Sequence, residues 1–189
     1  MFYRIFLTAA LLLSSPLVLA SNPQPFDNLI QQAPIQGQFI EKSGKDVSSG
    51  IVTLGKDGEL RWERQKPYEE LLISNKTQAW HVQPDLHQAL LIDVRAIRSW
   101  QALMDPSMLI KYYQATLNSE GVVSLRRQPQ VSSEQWPNMD IFLDPKGQLS
   151  KITFVDDDER TIEFLDWGPA HSVEFDYTPP PGMDVIGGP

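Results

Sequence analysis

The sequence predicts a mainly β member of the α+β class, a strongly curved antiparallel sheet or barrel with helices gathered on one side. Three observations carry that prediction. Beyond residue 50, about ten short segments of strand character recur at regular spacing, each bounded by turn residues. The rhythm breaks once, between Ile97 and Tyr113, where apolar residues move to helical spacing. The chain of 189 residues is 41% hydrophobic and 21% charged, a globular balance whose length fits one domain.

The first element is not part of the fold. Met1–Arg4 carries one positive charge, Ile5–Leu19 is apolar but short and broken by Pro16, and Val18 and Ala20 suit signal peptidase. Residues 1–20 therefore read as a cleaved signal peptide, and 21–189 as a single exported domain. No later segment is apolar enough to span a bilayer, so the mature chain is expected to be soluble. Phe26, Leu29, Ile30 and Ala33 then fall at helical spacing and predict a short amphipathic helix over Phe26–Ala33.

After Pro34 the pattern becomes that of strands. Ile51–Leu54 is followed by Asp57-Gly58, a strong hairpin signal. Leu60–Arg64 alternates, with Leu60 and Trp62 on one face, and Lys66-Pro67 ends it. Leu71–Ser74, Ala79–Gln83 and Gln88–Val94 follow, separated by Asn75-Lys76 and Pro84-Asp85. In the interruption, Ile97, Trp100, Leu103 and Met104 share one helical face, and Met108, Leu109, Tyr112 and Tyr113 another. Asp105-Pro106 lies between them, with Pro106 suited to a first helical turn. Strands resume at Gly121–Arg127, Met139–Leu143, Gln148–Val155, Arg160–Leu165 and Ser172–Tyr177, and the run Pro179–Gly182 leaves a short tail. There is no internal repeat and no interdomain linker.

Charge and composition exclude several functions. With 16 Lys and Arg against 24 Asp and Glu the net charge is −8, which disfavours nucleic acid, whose binding rests on cations that neutralise phosphates. It disfavours an anionic membrane surface for the same reason. With no cysteine there is no disulfide, no thiolate nucleophile and no lipid-modified N-terminal Cys. No nucleophile elbow, phosphate loop or zinc-protease motif is present, so neither a catalytic residue nor a cofactor is expected. His81 and His87 flank a turn and read as exposed strand-end residues rather than as metal ligands. Asp156–Glu159 are consecutive acids that diverge rather than converge on calcium, and read as a solvated hairpin. Asn75-Lys76-Thr77 has the form of a glycosylation sequon but marks a turn.

The apolar residues say more. Leu60, Trp62, Trp80, Val82, Ile92, Phe154 and Phe164 occupy alternating strand positions, and Trp100, Met104, Met108 and Tyr112 lie on the helical interruption. They make either a filled core or the lining of a cavity for an apolar ligand, with methionines as an adaptable wall. Periodicity does not separate the two.

The order of residues over 50–94 favours the cavity. Gly50 opens a strand; a hairpin leads to Leu60-Arg61-Trp62-Glu63, then Lys66-Pro67-Tyr68-Glu69, Leu71–Ser74, Thr77-Gln78-Ala79-Trp80 and Pro84-Asp85-Leu86-His87-Gln88. This stretch, with Phe175–Val185 at the C-terminus and the acidic Asp156–Glu159 hairpin, resembles the periplasmic outer-membrane lipoprotein carrier family (LolA-like). The resemblance implies an incomplete antiparallel barrel whose lid helices cover a hydrophobic cavity. It implies a monomeric periplasmic carrier of acylated lipoproteins, loaded by an inner-membrane ABC transporter and unloaded to a lipid-anchored outer-membrane receptor. Lacking cysteine, the chain is similar to the soluble carrier rather than to that receptor.

In this reading all eleven apolar residues named above line the cavity, with Trp62 and Trp80 both facing its interior. One departure stands out. Where the family has a Lys-Arg-Pro turn, whose Arg is expected to latch the lid, this chain has Gly55-Lys56-Asp57. Lys56 is the latch candidate, but it lacks the planar donor fork of Arg. The difference leaves room for a paralogue carrying another lipid, such as a glycolipid or an acylated pigment, or for a sensor module on the same fold. A carrier makes physical sense: holding an acyl chain in water costs about 0.8 kcal/mol per CH₂, or roughly 12 kcal/mol for sixteen carbons.

Overall fold

The structure, a computed structural model, describes residues 26, 31–133, 135–156 and 160–187. The signal-peptide reading and most of the Phe26–Ala33 helix lie outside the described residues, as do the acids at 157–159. Six strands form a first meander: β1 (Ile35–Ser43), β2 (Asp46–Leu54), β3 (Leu60–Lys66), β4 (Glu70–Ser74), β5 (Ala79–Gln83) and β6 (Gln88–Ile92). A 3₁₀ turn at Val94–Ile97 leads into two short helices, α1 (Arg98–Met104) and α2 (Pro106–Tyr112). A second meander follows with β7 (Tyr113–Leu117), β8 (Val122–Arg127), β9 (Met139–Leu143), β10 (Leu149–Phe154) and β11 (Arg160–Pro169), and β12 (Asp184–Ile186) closes the chain.

One sheet holds all twelve strands in the order β12-β6-β5-β4-β3-β2-β1-β11-β10-β9-β8-β7. The antiparallel pairing of β1 with β11 fuses the two meanders, placing Phe39 opposite Phe164 and Glu41 opposite Ile162. With β12 at one edge and β7 at the other, the curved sheet does not close on itself. One face carries most of the core: Phe39, Val52, Leu60, Trp62, Ile162, Phe164, Ile152, Ile141 and Leu125 form a continuous buried cluster with Leu103, Met104 and Leu109 of the helices. The helices therefore fill the concave side, which accounts for the change of periodicity between the meanders. Among the described residues no helix is long and apolar enough to cross a membrane.

The structure departs from expectation in several places, the whole of β1 among them. The strand expected at Ile51–Leu54 is only the end of a nine-residue β2, paired along its whole length with β1. Gly50 lies within it, beside a register shift against β3, and a Cβ there would meet the carbonyl oxygen of Glu63 at 1.8 Å. A glycine inside a strand commonly marks such a close backbone approach. Tyr113 begins β7 rather than ending a helix: Tyr112 accepts through its carbonyl from Gln128, and Tyr113 pairs with Arg127.

Ser172–Tyr177 joins no strand ladder. It crosses the outer face of the sheet, with Asn75 Nδ2 donating to Asp176 Oδ1 at 2.5 Å and the Tyr177 ring 5.9 Å from that of Trp80. Its alternating apolar residues are satisfied by lying on a sheet rather than by joining one. The short tail after the proline run adds β12 in parallel to β6.

Candidate functional site

The site is the space between the concave face and the lid helices. Local sequence sets the lid. Asp105 caps α2 by accepting from the backbone amides of Ser107 and Met108, and Pro106 fills the first turn. Its carboxyl is held below the usual aspartate range, chiefly by the Ser107 hydroxyl, against a smaller upward push from burial and with further help from the two amides. Asp93 accepts from the amide of Arg95 at the preceding 3₁₀ turn, and its carboxyl is lowered to about 2, first by the Arg95 side chain and then by that amide.

Aromatic rings join lid to sheet. Trp62 lies 3.9 Å from Phe39 and 5.0 Å from Trp100 of α1, centroid to centroid. The Phe164 ring stands edge-on to both indoles at 6.3 Å. At the other end of the lid, Tyr112 stacks on Trp136 at 4.0 Å and Tyr113 meets the same indole edge-on at 5.6 Å. Tyr113 Oη donates to the Pro137 carbonyl at 3.1 Å, and burial pushes its hydroxyl pKa strongly upward.

Beside the Trp62–Trp100 contact lies a cavity of about 290 Å³. One wall is Trp62, Leu72, Ile92 and Trp100; the other carries Glu41, Arg64, Glu70, His81 and Arg160. These charges form one network. Arg64 donates through Nη1 to Glu70 and through Nη2 to Glu41 Oε2 at 3.4 Å. Arg160 Nε donates to Glu41 Oε1 at 2.9 Å, Gln83 donates to Glu70 at 3.2 Å, and His81 Nε2 stands 3.7 Å from Glu70. The Arg160 guanidinium also covers the Phe154 ring at 4.3 Å.

The apolar residues singled out above fall into two groups. Leu60, Trp62, Met104, Phe154 and Phe164 are buried in the concave cluster, and Ile92, Trp100, Met108 and Tyr112 pack against it half-buried. Trp80 and Val82 do not join them. Trp62 pairs with Leu72, and Leu72 with His81, so His81 faces inward and its neighbours Trp80 and Val82 face out. There the tail covers Trp80. The expectation that Trp62 and Trp80 share the interior is corrected, because a second apolar layer exists on the outer face. His81 is likewise not an exposed strand-end residue but part of the cavity wall.

Lys56 is exposed and makes no hydrogen bond or ion pair among the described residues. Its hairpin meets the lid elsewhere: Gly58, at φ +81°, presents bare backbone to Gln101 of α1, and Asp57 pairs with Lys76 at 2.8 Å. Asn75 builds the expected turn, its Oδ1 accepting from the amides of Thr77 and Gln78. Asp156 is held by Asn138 and Arg127. Among the described residues no three His, Asp or Glu side chains gather as metal ligands.

Sequence reasoning missed Trp136 and the charged network. Trp136 sits in an irregular loop where periodicity is silent. Arg64 lies two residues after Trp62 and Glu70 two before Leu72, so alternation was the available signal for their shared face.

The family model for "Outer membrane lipoprotein carrier protein LolA" matches residues 35–169. The outer-membrane lipoprotein carrier protein of Xanthomonas oryzae pv. oryzae is 32% identical, the match covering 81% of this chain and 81% of that one. That of Xylella fastidiosa (strain Temecula1) is 34% identical with the same coverage. In fold, a crystal structure of an uncharacterized conserved protein from Thermus thermophilus aligns with TM-score 0.53 at 11% identity, over 86% of this chain and 96% of that one.

Proposed function

Because the chain belongs to the outer membrane lipoprotein carrier (LolA) family, we propose that it shields the acyl chains of lipoproteins in its concave cavity. It carries them across the periplasm from an inner-membrane ABC transporter to a lipid-anchored receptor in the outer membrane. The observation that carries this reading is the covered apolar face: Trp100 of α1 rests on Trp62 and Phe164, so the lid and the sheet fill the interior with their own side chains.

A cavity of about 290 Å³ lies at the small end for ligand sites and does not suffice for several acyl chains. Loading then requires α1 and α2 to lift from the sheet, exposing Trp62, Leu60, Phe154 and Phe164 to the cargo while Met104, Met108 and Tyr112 repack around it. On release the lid falls back onto the same aromatics, so the protein's own side chains compete with the cargo and limit affinity. That suits a carrier, which must lose its load to the next acceptor.

The test is direct. Purified protein mixed with vesicles bearing a fluorescent triacylated lipopeptide should draw the lipopeptide into the vesicle-free fraction as a stoichiometric complex, whereas the unacylated peptide stays unbound. Failure to extract any acylated species would sink the carrier reading. Mass spectrometry of lipid copurifying with the protein distinguishes lipoprotein cargo from a glycolipid or an acylated pigment.

A further inference from the structure

We infer that the charged side of the cavity is a head-group subsite for an uncharged hydrogen-bond acceptor: the ester or amide carbonyl at which acyl chains join the body of an amphiphile. The inference rests on the carrier reading, since it assigns the polar end of a molecule whose apolar end that reading buries. The cavity is amphipathic by construction. Alternation along β3 and β4 places Arg64 and Glu70 on the same face as Trp62 and Leu72 but toward one end of the strands, and the β1–β11 pairing brings Glu41 and Arg160 to that end.

Arg64 is the centre of the subsite. Its two terminal nitrogens are taken by Glu70 and Glu41, while its Nε is buried and has no acceptor within the protein. A guanidinium is a rigid planar fork, so carboxylates on both terminal nitrogens also fix the direction of the Nε–H. Buried donors are rarely left unpaired. An acceptor admitted when the lid lifts would therefore make a bond that the closed protein does not supply to this donor.

Charge balance selects what that acceptor is. The two guanidiniums of Arg64 and Arg160 stand against the two carboxylates of Glu41 and Glu70, so these four groups balance. An anionic head would meet the two carboxylates that already hold the same guanidinium, and a cationic head would meet two guanidiniums. A neutral carbonyl oxygen meets neither penalty. Depth agrees: side-chain exposure rises from 10% at Glu41 and 15% at Glu70 to 25% at Arg64 and 39% at Arg160. The network thus bridges the buried indoles and solvent, where the polar junction of an amphiphile would stand.

Three probes sharing one alkyl length test this: monopalmitoylglycerol, the hexadecyl ether of glycerol, which lacks only the carbonyl, and palmitate. Each is titrated below its micelle-forming concentration, with tryptophan emission as readout. The ester should bind on the order of tenfold more tightly than the ether, the difference expected of one hydrogen bond to a charged donor. Arg64→Lys keeps a cation for Glu70 but loses the Nε donor, and should bind ester and ether alike at the ether's wild-type affinity. Equal affinity of the wild type for ester and ether would overturn the subsite while leaving the carrier reading intact, and this comparison does not depend on the variant folding. Tightest binding of palmitate would overturn it in favour of an anion site. If none of the three binds, the carrier reading falls and the subsite with it.

Discussion

Trp62 and Trp80 lie two strands apart in the same sheet and serve opposite faces. Trp62 is wedged between Phe39 and Trp100, so Trp62→Ala should leave a cavity in the concave cluster. Such truncations cost about 3–5 kcal/mol, which a lower urea midpoint at unchanged slope would register; a loss below about 1 kcal/mol would mean that the lid collapses into the gap. Trp80 is packed under Tyr177 with its Nε1 buried and lacking an acceptor within the protein. Trp80→Phe keeps an aromatic ring and removes that donor. Stability should stay within about 1 kcal/mol of wild type, or rise. A larger loss would indicate that the indole contributes through packing that a phenyl ring cannot reproduce. Lys56, exposed and without a partner among the described residues, should tolerate Leu within about 0.5 kcal/mol and without change in amphiphile binding. Increased binding of a hydrophobic probe dye by that variant would restore Lys56 as a latch.

At the scale of single elements, α2 depends on its cap and β2 on its glycine. Asp105→Ala removes the acceptor for the Ser107 and Met108 amides and should cost about 0.5–2 kcal/mol. Amide exchange in α2 should rise more than in the sheet; uniform exchange would mean that lid and sheet open together. The pH dependence has a definite sign. Because the folded carboxyl is depressed, its contribution is fully present above the unfolded aspartate value and disappears as pH falls through the folded one. Asp105→Asn, a cap without that titration, should lose less stability than wild type on acidification. Parallel acid profiles would show that ionisation of Asp105 contributes nothing. For β2, Gly50→Ala places a methyl group against the Glu63 carbonyl, so β2 and β3 must separate. The expected loss is about 1–3 kcal/mol, read from thermal or urea unfolding.

For the molecule as a whole, the decisive property is whether the lid parts from the sheet. Gly58 offers a place to ask, because a Cβ built there would lie 3.3 Å from the Gln101 Cβ, near the separation that a disulfide spans. The chain has no cysteine of its own, so Gly58→Cys with Gln101→Cys introduces a single possible pair. The positive φ of Gly58 makes a side chain there cost about 1–2 kcal/mol, a strain present in both redox states. Oxidised, this variant should fail to take up a lipopeptide; reduced, it should load as the wild type does. Equal loading in both states would show that α1 stays in place and that cargo enters elsewhere, along α2 or the β7 edge.

Much of this was legible locally. Turn residues such as Asp57-Gly58 and Pro84-Asp85, the period-two runs between them and the helical spacing from Ile97 onward are properties of short segments. They determined the strands of the first meander from β3 onward, most of the second meander, and the two lid helices. The same alternation identified Leu60, Trp62, Phe154 and Phe164, which the fold buries together.

Periodicity says that two faces of a strand differ, not which one is the interior. On β5 strand alternation and the family resemblance together place the apolar pair Trp80 and Val82 inward. Only the tail decided otherwise, by covering the outer face with Tyr177 and leaving His81 for the cavity wall. The charged network has the same origin. Arg160 reaches Glu41 across 119 residues of sequence, because β1 pairs with β11. Burial depends on what every other segment covers, and in this protein the segments that decide it lie far along the chain from the strands they change.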